Sequence, residues 1–118
     1  MQPSVMNMSP EVAFAYVQRL REEGQFAVFD LPASNTFVQV IRERDGGVHV
    51  EVSHRTPAID ALLRSLGNVT YVEKFGFPTT TSRPGEDARV AGLIAQALAL
   101  LAAYRGCANQ ARVSMDKQ

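Results

Sequence analysis

His49 and His54 are the histidines of this chain, and Cys107 is its one cysteine. Metal capture needs three or four such ligands converging on one point. The two imidazoles are five residues apart on one predicted strand. They therefore face opposite sides of a sheet, and no metal site is expected. Cys107 has no partner for an internal disulfide. Nucleophilic chemistry has no local signature either, because no G-x-S-x-G is present. Ser, His and Asp residues can be combined on paper in almost any chain, and nothing here fixes their geometry. The carboxylate pairs Glu22-Glu23 and Glu86-Asp87 fall at predicted helix ends, where the helix dipole and solvent account for them. The segment SRPGED, Ser82 to Asp87, sets Arg83 and Gly85 before a helix start, an arrangement that can hold an anion. Glu86 and Asp87 already bring negative charge to that end. Neither the P-loop nor the dinucleotide-binding pattern occurs. The expectation is a protein without catalytic residues, metal or cofactor.

The elements that would position any site fit in one domain, since 118 residues suffice for a single core and not for two ordinary ones. Twelve basic residues balance twelve acidic ones, so no electrostatic attraction to nucleic acid is expected. The start of the chain lacks the basic-then-apolar pattern of a signal peptide. The charge-free run Val90 to Tyr104 has 15 residues, short of the roughly 18–20 that span a bilayer. A soluble, cytoplasmic protein is expected.

Helix punctuation recurs three times. Ser9, Pro10 and Glu11 start a helix whose apolar stripe is Ala13, Tyr16, Val17 and Leu20, with Gly24 as its stop. Thr56 and Pro57 start a second, with Ile59, Leu62, Leu63 and Leu66 inward and Gly67 after it. A third runs from about Gly85 to Tyr104, with Arg105 and Gly106 at its end. Between them lie strands at Gln25–Asp30, at two alternating runs around Asp45-Gly46-Gly47, and at NVTYVEKFGF. Pro78 to Ser82 reads as a short edge strand or an irregular connection. The order is α-β-β-β-α-β-(β)-α, an α+β fold with an antiparallel sheet and the first and last helices packed on one face. Its ordered core is expected over 9–106, with 1–8 and the polar tail 107–118 flexible.

The hairpin register follows from burial. A three-residue loop Asp45-Gly46-Gly47 pairs Val40 with Val52 and Arg42 with Val50. It gathers Val38, Val40, Val48, Val50 and Val52 on one face, a set that a one-residue slip would split. The opposite face then carries Phe37, Gln39 and Ile41, the candidate protein-binding residues. Phe26, Phe29, Phe75 and Phe77 are expected in the core. The last helix has no polar back. With one stripe on the sheet, Ala91, Ala95, Leu98 and Ala102 remain as a candidate homodimer interface.

Phe37-Val38-Gln39, Asp45-Gly46-Gly47, Val50-Glu51-Val52-Ser53, Phe75-Gly76-Phe77 and a final helix beginning near Asp87 together resemble small bacterial proteins of the type III secretion chaperone-like fold, the YbjN-like branch most closely. The resemblance covers about Phe26 to Tyr104. Two features depart from the pattern: no tryptophan follows the second leucine-glycine step, and Thr79-Thr80-Thr81-Ser82 stands where an Asn-Phe pair is expected. The resemblance implies a non-enzymatic module that binds a polypeptide partner and is often a homodimer. The alternatives are a small-ligand-binding protein or enzyme, and a toxin-neutralising partner protein.

Overall fold

The structure is a computed structural model that describes residues 5–117. Of the segments expected to be flexible, residues 1–4 and Gln118 lie outside the described residues. The described chain has three helices and six strands, in the order α1 (Pro10–Gln18), β1 (Gln25–Leu31), β2 (Thr36–Arg42), β3 (Val48–Val52), α2 (Pro57–Arg64), β4 (Thr70–Tyr71), β5 (Pro78–Thr81), α3 (Asp87–Arg105) and β6 (Arg112–Lys117). The strands form one antiparallel sheet ordered β4-β5-β3-β2-β1-β6. The α+β class and the placement of the first and last helices on one face match expectation.

The tail departs from expectation. Residues 112–117 add a strand to β1, with Ala27 opposite Met115 and Phe29 opposite Val113. Val113 and Met115 pack against the core while Arg112 reaches Asp30 on the other face, Nε to Oδ2 at 3.0 Å. That polar–apolar alternation is the signal of a half-buried strand. Ala111, just before it, exchanges both backbone hydrogen bonds with Met6 at 2.8 Å, so part of the lead-in is ordered too.

α1 stops well before Gly24. Ser9 caps it as expected, its Oγ accepting from the Val12 amide at 3.2 Å. The end comes at Gln18 because other groups take over its last backbone positions. Arg42 donates to the carbonyls of Val17 and Leu20, and the Gln25 side-chain oxygen accepts from the amides of Arg21 and Glu22. α2 begins as read, with Thr56 Oγ1 accepting from Ile59 N. α3 ends on Gly106 in the left-handed conformation, φ 66°.

The hairpin loop has three residues, but they are Arg44-Asp45-Gly46. Glu43 N donates to Gly47 O at 2.8 Å, Gly46 N to Glu43 O at 3.0 Å, and Gly46 takes the left-handed position at φ 94°. Val38 therefore pairs with Val52, Val40 with Val50 and Arg42 with Val48, two residues from the expected register. An even slip leaves every side chain on its predicted face, so the five valines are buried as anticipated. Gly47 is needed elsewhere: a Cβ there would lie 2.3 Å from the carbonyl oxygen of Ser82, where the chain leaving β5 passes.

α3 lies between α1 and α2 and over the sheet, which explains its missing polar face. By length and composition it could cross a membrane, yet half of its apolar window is buried inside the fold. Ala91, Ala95, Leu98 and Ala102 are 1%, 9%, 0% and 4% exposed. The assigned dimer interface is thus already covered by the chain's own elements, and that assignment is corrected. The exposed side of α3 carries Arg89, Gln96, Ala99 and Ala103 instead.

Candidate functional site

The inward valines, Ile59 and Leu63 of α2, and the buried side chains of α1 and α3 belong to a single core cluster. All three helices therefore sit on one side of the sheet, and the other side is left open. Cross-strand pairing arranges that open face in rows. One row runs Arg112, Asp30, Phe37; the next Ser114, Val28, Gln39, Glu51, Thr79; the third Phe26, Ile41, His49, Thr81. Phe37, Gln39 and Ile41 thus stand together on the open face, each half-buried by its neighbours and none beneath a helix.

The structure extends this patch with residues assigned to the core from sequence. The expected strand NVTYVEKFGF pairs only at Thr70 and Tyr71, and the chain then turns. Gly76 N donates to Val72 O, Val72 N donates to Phe77 O, and Gly76 is left-handed at φ 68°. The turn brings Phe77 edge-on to Phe37, centroids 5.8 Å apart, and stacks Phe75 on Phe77 at 5.2 Å. Phe75 is 61% exposed, with the Lys74 ammonium 5.3 Å from its ring centre. Phe26 is likewise on the open face, beside Ile41. Of the four phenylalanines assigned to the core, Phe29 is fully buried there. The sequence signal for this difference was Gly76 between the two aromatics, a residue suited to a turn rather than to a strand centre.

The polar groups do not converge as a reaction centre. His49 Nδ1 meets Thr81 Oγ1 at 3.0 Å on the open face. His54 lies beyond the end of β3, with Nδ1 2.9 Å from Ser53 Oγ. That Ser–His contact is the nearest approach to a nucleophile pair. Ser53 is buried, however, and its oxygen already accepts from Phe37 N at 2.9 Å. Burial pushes the His54 pKa down and the Arg105 guanidinium adds to the shift. No group of three or more metal-binding side chains occurs among the described residues. At the start of α3, Glu86 accepts from the amide of Arg83 and from the Arg89 guanidinium, which together hold its carboxyl below the usual carboxylate range. Asp87 is taken by Arg42 and Gln18. Both carboxylates at this helix start are thus engaged by other side chains and by the Arg83 amide, and Glu86 makes no side-chain cap to the α3 amides.

Comparison with family models, with curated proteins and with solved structures returns no match for this chain.

Proposed function

We propose that the protein is a non-enzymatic, soluble, cytoplasmic module that binds a polypeptide partner on the open face of its sheet. One observation carries this reading. The Phe37, Phe77 and Phe75 rings form a continuous aromatic ladder that rises from the sheet to a ring 61% exposed. Ile41, Phe26 and Val28 continue the apolar surface across two strands. Aromatic anchors surrounded by polar side chains are the usual composition of a protein interface. Gln39 and Glu51 supply hydrogen-bonding capacity in the middle of the patch. The secretion-chaperone-like resemblance of the sequence points the same way. A homodimer would use this same face, since Ala91, Ala95, Leu98 and Ala102 of α3 are covered.

The test compares the wild type with a Phe37→Ser/Ile41→Asp variant, both checked for folding by thermal melting. The variant should melt cooperatively and lose a polypeptide that the wild type retains from lysate. Light scattering over a tenfold dilution separates a partner from a second copy. Equal retention by both proteins would remove the open face from the interaction. A metabolite that raises the melting temperature of both, with no polypeptide retained, would replace this reading with small-ligand binding.

A further inference from the structure

At the β4 end of the sheet two adjoining open clefts of about 350 and 610 Å³ share Arg64 as a wall, and the edge strand borders the second. The first is lined by Arg55, Thr56, Asp60 and Arg64; the second continues past Asn68 to Tyr71. Arg55 is held there by two contacts. Its guanidinium lies over the Tyr71 ring, 3.9 Å from the centroid, and its Nε is 3.5 Å from Asp60 Oδ2. The Tyr71 hydroxyl donates to that same oxygen at 2.8 Å. Asp60 is 8% exposed, and its other oxygen, Oδ1, is buried without a partner. The carboxylate, although it lines the first cleft, is thus engaged through Oδ2 by Arg55 and Tyr71. Both terminal nitrogens of Arg55 and the whole Arg64 guanidinium are without a partner among the described residues. A guanidinium held over an aromatic ring, with its outer nitrogens free, is arranged for bidentate contact with a carboxylate.

A second observation concerns the backbone beside these clefts. β4 is the outermost strand at its end of the sheet, and no described strand pairs with its outer edge. An extended segment can add there by backbone hydrogen bonds, with alternate side chains directed to one face.

We infer that the groove between α2 and β4 receives an acidic, extended segment of a partner polypeptide, with a carboxylate side chain set between Arg55 and Arg64. This rests on the polypeptide-binding reading above and adds a charged subsite to it. The net positive charge of the groove selects an acidic segment, and the open edge of β4 selects an extended one.

A fluorescein-labelled glutamate decamer is the probe and a glutamine decamer its control, followed by anisotropy and by amide chemical shifts of the intact protein. The glutamate decamer should bind saturably, weaken as salt is raised, and shift the amides of Thr70, Tyr71 and α2. Arg64→Gln and Arg55→Gln should each weaken it about tenfold or more, and Arg55→Lys, which keeps the charge without the flat fork, should restore only part of the loss. Failure of the glutamate decamer to bind, equal binding of the two decamers, or undiminished binding by the Arg55→Gln/Arg64→Gln variant overturns the inference. Displacement of the probe by millimolar inorganic phosphate, without shifts on β4, makes the groove a small-anion pocket and also overturns it. Shifts confined to Phe37 and Ile41 overturn the groove while leaving the open-face reading in place.

Discussion

Arg42 and Asp87 meet in a two-pronged ion pair, Nη1 to Oδ1 at 3.0 Å and Nη2 to Oδ2 at 2.9 Å, with side chains 10% and 14% exposed. The remaining donors of Arg42 reach the carbonyls of Leu20, Val17 and Gly46 at 2.6, 3.0 and 2.8 Å. One guanidinium therefore ties the end of α1, the hairpin loop and the first turn of α3 together. All five of its N–H donors are used, which is the condition for burying a charge without a large net cost. Arg42→Met leaves the Asp87 carboxylate short of its cation and should cost about 3–5 kcal/mol, measured by urea denaturation. Adding Asp87→Leu to that variant should recover part of the loss by removing the stranded charge. A double variant no more stable than Arg42→Met would assign the effect to the three carbonyl bonds instead.

Much of the fold was legible because burial and backbone chemistry agreed locally. Ser9, Thr56 and Gly106 mark helix ends where they stand, and the valine alternation sets the faces of β2 and β3 correctly. The same alternation held a further signal. Arg42 follows Val38 and Val40 in the buried phase, and a charge in that phase needs a buried counter-charge. Asp87, 45 residues away, supplies it. No local pattern links the two, because they meet only through the packing of α3 over the hairpin. The open-face patch was half legible for a similar reason. Phe37, Gln39 and Ile41 follow from strand parity, whereas Phe75 and Phe77 join them through a turn. The Arg55–Arg64 groove depends on Tyr71 arriving beside α2, which strand and helix periodicity do not specify.

The hairpin register has a test in its two glycines. Gly46 has open space around its missing side chain, the nearest atom being Pro84 Cβ at 3.6 Å, but it needs φ 94°. Gly46→Ala should cost about 1–2 kcal/mol, the penalty of a left-handed L-residue. At Gly47 the added Cβ would meet a backbone oxygen, Ser82 O, at 2.3 Å, so the segment leaving β5 has to move. Gly47→Ala should therefore cost more, and should speed amide exchange at Ser82, whose N–H donates to Val48 O at 2.9 Å. A smaller loss at Gly47 than at Gly46 would contradict this packing.

α3 makes a paired prediction about its two sides. Leu98 is fully buried and its neighbour Ala99 is exposed. Leu98→Glu places an unpaired carboxylate in the core and should cost several kcal/mol, whereas Ala99→Glu should stay within about 0.5 kcal/mol of wild type. Equal tolerance at both positions, by urea midpoint, would mean that α3 is not held between α1 and α2.

His54 gives the stability a pH dependence whose sign follows from its surroundings. Burial disfavours the imidazolium, and Arg105 repels it further, so the folded protein holds this group below its ordinary pKa. The unfolded chain then binds the proton more readily across the interval just below about pH 6.5. Unfolding takes up protons in that interval, so stability rises with pH there. The contribution of neutral His54 is complete above the unfolded pKa and is lost as pH falls through the folded one. His54→Gln should flatten the dependence of the urea midpoint on pH between 7.5 and 5. Arg105→Gln removes the smaller of the two causes and should raise the His54 pKa only partway towards its ordinary value, read from the ring-proton chemical shift. A wild-type His54 resonance that titrates at or above the ordinary value would show that neither burial nor Arg105 governs this side chain.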